Sequence, residues 1–145
     1  MARRHERPVR IVVDTNIFIS FLIGKRLKEL QVAIAEGEFQ FVVGEKLLNE
    51  IRDVVSRRHL RKLFAVEAVD LLMAMLEAEA VNVGAPKNIP AVCRDANDNY
   101  LLAISKAGKA DILLTGDDDL LVLGKHGRTK IMNARAFVKE FLSAK

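Results

Sequence analysis

The sequence predicts an α/β fold, namely a three-layer α/β/α sandwich around a central parallel sheet of about five strands. Two observations lead to this prediction. Short runs of β-branched and other apolar residues, typical of buried strands, alternate along the chain with longer segments whose apolar residues recur at helical spacing. Strands that alternate with helices pair in parallel, and the connecting helices then cover both faces of the sheet.

The first half of the chain is expected to contain three strands and four helices. The first strand, VRIVV, is the clearest, because it is rich in β-branched residues and ends abruptly at Asp14. Gly24 separates the first two helices, and Gly37 ends the second. The strands are predicted at residues 9–13, 39–43 and 79–83, and the helices at residues 15–22, 26–35, 45–58 and 66–77.

The second half of the chain is expected to contain two strands and two helices after a loop at residues 84–90, which holds two prolines and a glycine. Helices are predicted at residues 95–107 and 133–142, and strands at residues 111–115 and 129–132. No repeat or linker interrupts this order, so we expect a single domain at residues 9–145. A basic, flexible arm at residues 1–8 precedes it, either as a solvated tail or as an arm that contacts phosphates.

The composition limits the possible functions. The net charge of +4 and the pI of about 9.4 are compatible with a nucleic-acid partner but are weak support alone. The single Tyr and the absence of Trp argue against an aromatic platform on which bases stack. The longest apolar run, residues 17–23, is too short to span a bilayer, so we expect a cytoplasmic protein.

Cysteine and histidine offer no obvious metal or nucleophile chemistry. Cys93 is the only cysteine, which excludes an intrachain disulfide and a thiolate cluster for zinc, and we interpret it as an incidental thiol. The histidines at positions 5, 59 and 126 are not spaced as ligands of one site, and surface roles are expected for them.

Acidic residues follow two of the predicted strands. Asp14 comes directly after the first strand, and Asp117 lies just past the strand at residues 111–115. A buried strand does not tolerate an unpaired carboxylate, so each acid is expected where its strand ends. Parallel central strands would bring both carboxylates to one edge of the sheet, where ligands bind in open α/β folds. Taken alone, the run of three aspartates at 117–119 also fits a solvated turn.

Two helices carry further candidate acids. Asp98 lies in the first turn of its predicted helix, on the face shared with apolar residues, although an acid there also stabilises a helix end without further function. Glu50 lies at the border of the apolar stripe of the third helix. Taken alone, Glu50 also fits a partly solvated residue that pairs with Arg57 or Lys46.

The four acids are more informative together than singly. Clustered carboxylates repel each other and resist ionisation unless a cation lies between them. Oxygen ligands without cysteine or a histidine cluster suit Mg²⁺ or Mn²⁺. One or two such ions can activate a water molecule and stabilise a leaving oxygen, so phosphodiester hydrolysis would need no catalytic histidine.

Four short motifs resemble those of PIN-domain nucleases, and most closely those of VapC-like toxin components of bacterial and archaeal toxin–antitoxin pairs. The resemblance covers residues 9 to about 142. The motifs are VVDTN at 12–16, LLNEI at 47–51, RDANDN at 94–99 and LLTGDDDLL at 113–121. Each motif is short, but their order and spacing together are fairly specific. The fold of this family is the α/β/α sandwich predicted above.

The resemblance implies specific roles for the acids and their neighbours. The metal-binding and catalytic acids would be Asp14, Glu50, Asp98 and Asp117. Thr15 or Asn16 would orient Asp14, Thr115 would support the site near the substrate phosphate, and Asp95 and Asp119 match positions at which further acids often occur. The implied activity is Mg²⁺- or Mn²⁺-dependent cleavage of RNA, often by a homodimer, with the active site of a toxin blocked by its cognate antitoxin.

The chain also departs from the family pattern. Gly44 stands before the third helix, where many members have a serine, and the basic segment before the first strand is longer than in many members. Basic residues cluster on or after the third helix, near Glu50, and would contact RNA phosphates without reading bases; a solvated helix end is the alternative. These residues are Arg52, Arg57, Arg58, Arg61 and Lys62.

The leading hypothesis from the sequence is therefore a metal-dependent endoribonuclease. The alternative is a non-catalytic RNA- or protein-binding module in which the acids only cap helices and solvate turns. An aspartyl phosphotransferase is a weaker third hypothesis, because a nucleophilic Asp14 would need a second acid at the position of Asn16.

Overall fold

The computed structural model describes residues 7–24 and 26–142, which form one sheet flanked by helices. The strands are β1 (Val9–Val13), β2 (Phe39–Val43), β3 (Val81–Asn82), β4 (Ile112–Leu114), β5 (Lys125–His126) and β6 (Thr129–Met132). The helices are α1 (Thr15–Ile23), α2 (Leu27–Ala35), α3 (Glu45–Val55), α4 (Val66–Ala78), α5 (Ala96–Ala107), α6 (Asp118–Leu121) and α7 (Ala134–Phe137). A 3₁₀ turn at Arg58–Leu60 follows α3, and a π-helical turn at Val138–Leu142 continues α7.

The sheet confirms the predicted fold class. The strand order is β3-β2-β1-β4-β6-β5, and all neighbouring pairs except β5 and β6 are parallel. β1 lies at the centre, with Ile11 paired to Phe41 of β2 and to Ile112 of β4. The chain moves outward from β1 first on one side and then on the other, so the crevice between β1 and β4 is the topological switch point of the sheet.

One strand and one short helix were not expected from the sequence. β5 is an antiparallel edge strand of two residues, joined to β6 by a tight turn in which Gly127 has a positive φ of 59°. α6 spans only four residues. Neither element is long enough to produce a recognisable hydrophobic period, so the prediction of about five strands was one strand short.

Helix α3 ends earlier than predicted. The expected boundary was residue 58, but the helix stops at Val55 because Ser56 closes its end. The Ser56 hydroxyl donates to the carbonyl of Asp53 (2.7 Å), and Arg57 then adopts an extended backbone (φ −66°, ψ 129°). Arg57 and Arg58 therefore follow the helix rather than belonging to it.

The core lies on both sides of β1 and β4, and α5 is the most deeply buried helix. Every residue from Asp98 to Ser105 is buried, although a surface helix would expose one face. This helix packs against β1, β2 and β4. Its position explains how an acid in its first turn is held inside the protein at the edge of the sheet.

The predicted basic arm falls mostly outside the described residues, since the structure describes it only from Arg7 onward. The Arg7 guanidinium donates to both carboxylate oxygens of Asp111 (3.2 Å each). No helix in the described ranges is long and apolar enough to cross a membrane.

Candidate active site

Asp14 lies where β1 ends, opposite the end of β4. Its amide donates to the carbonyl of Leu114 (2.9 Å), which continues the ladder between the two strands by one bond. The side chain is only 9% exposed, and burial raises the pKa of Asp14. The hydroxyl of Thr115, which is fully buried, donates to Asp14 Oδ2 (3.0 Å) and partly offsets this effect.

Thr115 also orients the second strand-end acid. Its hydroxyl accepts a hydrogen bond from the amide of Asp117 (3.1 Å) while it donates to Asp14. Asp117 in turn caps α6, because its Oδ1 accepts from the amide of Asp119 (2.8 Å). One buried hydroxyl thus fixes the positions of the acids that follow β1 and β4.

Asp98 is the most deeply buried acid at this edge. It is 2% exposed, and its Oδ2 has no hydrogen-bond partner among the described residues. Burial raises the pKa of Asp98 to about 7, with further contributions from the nearby carboxylates of Asp117, Asp95 and Asp14. An orphaned carboxylate oxygen surrounded by other acids is the environment that a bound cation would relieve.

Glu50 reaches the site from α3. It accepts a hydrogen bond from the Thr15 hydroxyl, whereas the resemblance assigned Thr15 or Asn16 to orienting Asp14. Asn16 lines the same cleft as Asp14. Glu50 pairs with neither Arg57 nor Lys46 within the described part of the chain.

The four predicted acids line a single cleft with a volume of about 530 Å³. They come from four separate elements, as the parallel sheet requires. None of them forms an ion pair in the described residues, although the chain contains 23 lysines and arginines. The cleft is lined by Asp14, Thr15, Asn16, Glu50, Val54, Arg57, Asp95, Asn97, Asp98, Gly116 and Asp117.

The tightest group of acids includes a residue that the sequence named only as a supporting one. One carboxylate oxygen each from Asp95, Asp98 and Asp117 lies within 4.8 Å of the other two. Asp95 is the N-cap of α5, and its Oδ1 accepts from the amide of Asn97 (2.8 Å). Three oxygen donors at this separation, one of them from the buried Asp98, fit a hard divalent cation.

The loop before α5 is anchored by a residue that the sequence did not single out. Asn99 accepts from the amides of Val92 and Cys93 and donates to the carbonyl of Cys93, all within 3.1 Å. The only available sequence signal for Asn99 was its place next to Asp98 within a motif.

Asp119, which the sequence named as a supporting acid, is exposed, and Arg94 lies 3.8 Å from it.

The predicted basic residues divide into two groups. Arg57 lines the cleft and pairs with Asp53 (3.0 Å), whereas Arg52 is turned toward α4 by its ion pair with Glu77 (2.7 Å). The remaining three are exposed on and after the 3₁₀ turn, with no ion-pair partner among the described residues. They are Arg58, Arg61 and Lys62.

Comparisons with known proteins agree with this geometry. The family model described as PIN domain matches residues 10–119, a segment that includes all the acids of the cleft. The chain is also similar to an uncharacterized protein, MJ1680, of Methanocaldococcus jannaschii. The two are 28% identical over 153 aligned positions, which cover 97% of each chain.

Proposed function

Because the chain belongs to the PIN-domain family, whose members are generally metal-dependent nucleases, we propose that it is an endoribonuclease. It hydrolyses RNA phosphodiester bonds with Mg²⁺ or Mn²⁺ as cofactor. One observation carries the proposal. Asp14, Glu50, Asp98 and Asp117 line one cleft without an ion-pair partner in the described residues, and a buried oxygen of Asp98 is left unsatisfied.

The acids are suited to hold a divalent cation. Asp95, Asp98 and Asp117 form the closest set of oxygen donors, and Asp14 and Glu50 complete the cleft. A cation would offset the repulsion among them and the cost of burying the ionised Asp98, both of which raise the pKa of Asp98. When bound, it would supply the Lewis acidity that activates water and stabilises a leaving oxygen.

The protein's own contribution is to fix these acids before substrate arrives. Thr115 holds Asp14 and the backbone of Asp117, and Thr15 holds Glu50. Carboxylates that are already oriented need little rearrangement during the reaction, and such preorganisation is a main source of catalytic power. The cleft volume of about 530 Å³ is within the range of sites that accept a nucleotide-sized group.

We further propose that the phosphate backbone of the RNA runs from the cleft along the basic residues at 57–62, called the basic turn below. Arg57 lies in the cleft wall, and Arg58, Arg61 and Lys62 continue the positive charge beyond it. Arg52 is engaged with Glu77 and would contribute less. Such contacts bind the backbone without base specificity and weaken as salt rises.

The resemblance of the motifs to VapC-like toxins supports a more specific biological role. In this role, residues 9–145 form a single nuclease domain that acts in the cytoplasm as the toxin of a type II toxin–antitoxin pair. Its partners are the RNA substrate, a cognate antitoxin protein and a second copy of the chain.

The first test is a Mn²⁺ titration followed by thermal denaturation, on wild type and on Asp14→Asn. A ligand that binds only the folded state stabilises it by about 2.7 kcal/mol at a hundredfold excess over Kd, so the Tm of wild type should rise with Mn²⁺. Asp14→Asn should fold but respond weakly, and it should not cleave RNA.

Asp111→Asn is the matched control for this experiment. Asp111 directly precedes β4, at the end of the strand away from the cleft, and pairs with Arg7 and Arg128. Its substitution should therefore lower the Tm yet preserve the Mn²⁺ response. Equal Mn²⁺ responses in wild type and Asp14→Asn, together with retained RNA cleavage, would refute the assignment of Asp14.

A non-catalytic RNA- or protein-binding module is the second candidate, and one observation favours it. Asp95 and Asp117 cap α5 and α6 with their side chains, a role in which acids stabilise helices without any further function, whereas Asp14 stands at the N-cap of α1 without a side-chain cap bond. Acids with only this role would give no Mn²⁺-dependent rise in Tm in any variant.

A further inference from the structure

The first turn of α3, the helix that carries Glu50, lacks a capping side chain. Its N-cap residue is Gly44, which has no side chain to accept hydrogen bonds from the free amides of the first turn. The amide of Glu45 donates to the carbonyl of Gly84 (3.0 Å), and that of Leu48 donates to the carbonyl of Gly44 (3.0 Å). The amides of Lys46 and Leu47 remain to be satisfied.

A side chain from another helix lies at these two amides and accepts a hydrogen bond from that of Leu47. The hydroxyl oxygen of Tyr100 on α5 accepts a hydrogen bond from the amide of Leu47 (3.2 Å) and is also reached by the amide of Lys46. The ammonium of Lys46 lies 5.1 Å from the centre of the Tyr100 ring. Tyr100 therefore performs from α5 the role that a serine or threonine usually performs at the N-cap.

The space around Gly44 shows that this residue and Tyr100 are matched. Gly44 has φ −134°, an extended conformation that any residue adopts, so the backbone does not require glycine. A Cβ at this position would instead overlap the Tyr100 hydroxyl oxygen. It would also lie 3.0 Å from the Gly84 carbonyl oxygen and from Ile104 Cγ2, each of which would have to shift by a few tenths of an ångström.

The same contact joins two helices of the candidate active site. Tyr100 is buried and lies two residues after Asp98 on α5, while the turn that it caps begins the helix that carries Glu50. We propose that Tyr100 is a positioning residue that caps α3 from α5 and thereby fixes Glu50 relative to Asp98. This proposal rests on the proposed function, since it concerns the placement of the acids that would hold the cation.

The test is a double-mutant cycle of Tyr100→Phe and Gly44→Ser, measured by urea unfolding without metal. Tyr100→Phe keeps the ring and the Lys46 contact and removes only the hydroxyl, so the unfolding equilibrium constant should rise roughly fivefold or more, the cost of a lost cap. Gly44→Ser alone should be more harmful because of the overlap with Tyr100. In the double variant, the serine hydroxyl can cap α3 itself, and stability should recover above that of Tyr100→Phe.

Two control variants separate capping from other effects. Gly44→Ala combined with Tyr100→Phe adds the Cβ without a hydroxyl, so it should not restore stability. Ala65→Ser places a serine at the exposed N-cap of α4, which has no side-chain cap, and its effect should be the same with Tyr or Phe at position 100. These comparisons remain informative even if Gly44→Ser alone does not fold.

A second readout tests the positioning role rather than stability. Mn²⁺ affinity, measured from the dependence of Tm on Mn²⁺ concentration, should fall severalfold in Tyr100→Phe and recover in the double variant. RNA cleavage at saturating Mn²⁺ should follow the same order.

The outcomes are distinguishable. If the substitutions at positions 44 and 100 are additive in urea, the capping pair is refuted. If they are coupled but all variants bind Mn²⁺ as wild type does, the positioning role is refuted while the proposed function stands. A wild type that does not respond to Mn²⁺ and cleaves no RNA would refute the proposed function and the positioning role together, leaving only a structural cap.

Discussion

Acids at the amino ends and at the carboxyl ends of the central strands lie in opposite electrostatic environments. Asp111 at the amino end of β4 accepts hydrogen bonds from the amide of Arg10 (2.9 Å) and from the side chains of Arg7 (3.2 Å) and Arg128 (2.9 Å). Burial alone would raise the pKa of Asp111, but these hydrogen bonds and charges outweigh it and lower the pKa. At the other edge, burial and neighbouring carboxylates raise the pKa of Asp14 and Asp98.

This difference distinguishes an acid that supports the fold from the acids proposed to hold a cation. Where an acid only supports the fold, as Asp111 does, the chain surrounds it with arginines. Where Asp98 and Asp117 meet, no ion pair is formed in the described residues, although uncompensated acids destabilise the folded state. Such a cost is expected at a cation-binding site, because the bound cation would supply the positive charge that the protein does not.

Asp98→Asn should produce the largest effect and the clearest contrast between the edges. The substitution removes a candidate ligand and should lower RNA cleavage at least about a hundredfold, as the loss of one preorganised group does in other enzymes. In metal-free protein it should raise Tm, because the amide can donate to Asp117 where two carboxylates now repel. Cleavage assays and thermal denaturation in the presence of a chelator measure the two effects.

Asp118→Asn is the control for that variant. Asp118 belongs to the same run of three aspartates but is exposed and does not line the cleft. Its substitution should leave cleavage unchanged. A loss of cleavage equal to that of Asp98→Asn would show that general negative charge, and not the cleft geometry, is required.

Asp111→Asn should have an intermediate effect of opposite sign on stability. It breaks charged hydrogen bonds to Arg7 and Arg128, and we expect the free energy of unfolding to fall by about 1–3 kcal/mol. The pKa of Asp111 is lowered on folding, so its contribution is present above the ordinary pKa of about 4 and is lost as pH falls through the folded value. The difference between wild type and variant, followed by urea unfolding, should therefore shrink in strong acid.

The cleft acids predict that the stability of the metal-free protein changes with pH in the opposite direction. The pKa of Asp98 is raised to about 7, so the folded state binds more protons than the unfolded state between pH 4 and pH 7. Wild type should accordingly lose stability as pH rises through this window, and Asp98→Asn should lose less, because only the raised pKa of Asp14 then remains. A flat profile in wild type would show that the cleft acids are not strained in the absence of metal.

The comparison also shows which features a sequence reveals. β1 and Asp14 were predictable because a buried strand that ends in an acid leaves a continuous local pattern. The grouping of Asp95 with Asp98 and Asp117 was not, because it depends on how a loop and a helix cap meet through space. The same holds for the pair between Arg7 and Asp111, which are 104 residues apart.

The smallest predicted effect concerns two arginines that the sequence could not distinguish. Arg57 lines the cleft, whereas Arg52 is held against α4 by Glu77 at 2.7 Å. Binding of a short RNA is measured in the Asp14→Asn background, so that cleavage does not interfere. Arg57→Ala should weaken binding at every RNA sequence and reduce the slope of log K against log salt by about 0.7, the value for one lost phosphate contact on a single strand.

Arg52→Ala is the matched control, since it removes the same charge from the same segment of chain. The slope should then change little, because the ion pair with Glu77 holds the Arg52 guanidinium against α4 and Arg52 does not line the cleft. Both arginines have an acidic partner, Asp53 in the case of Arg57, so the two variants differ in position and not in charge balance. Equal slopes for the two variants would mean that net charge alone draws RNA to the protein, and the proposed path along the basic turn would be wrong. A change confined to Arg57→Ala would place the phosphate backbone beside the unpaired acids, where the cation proposed for the cleft would act on it.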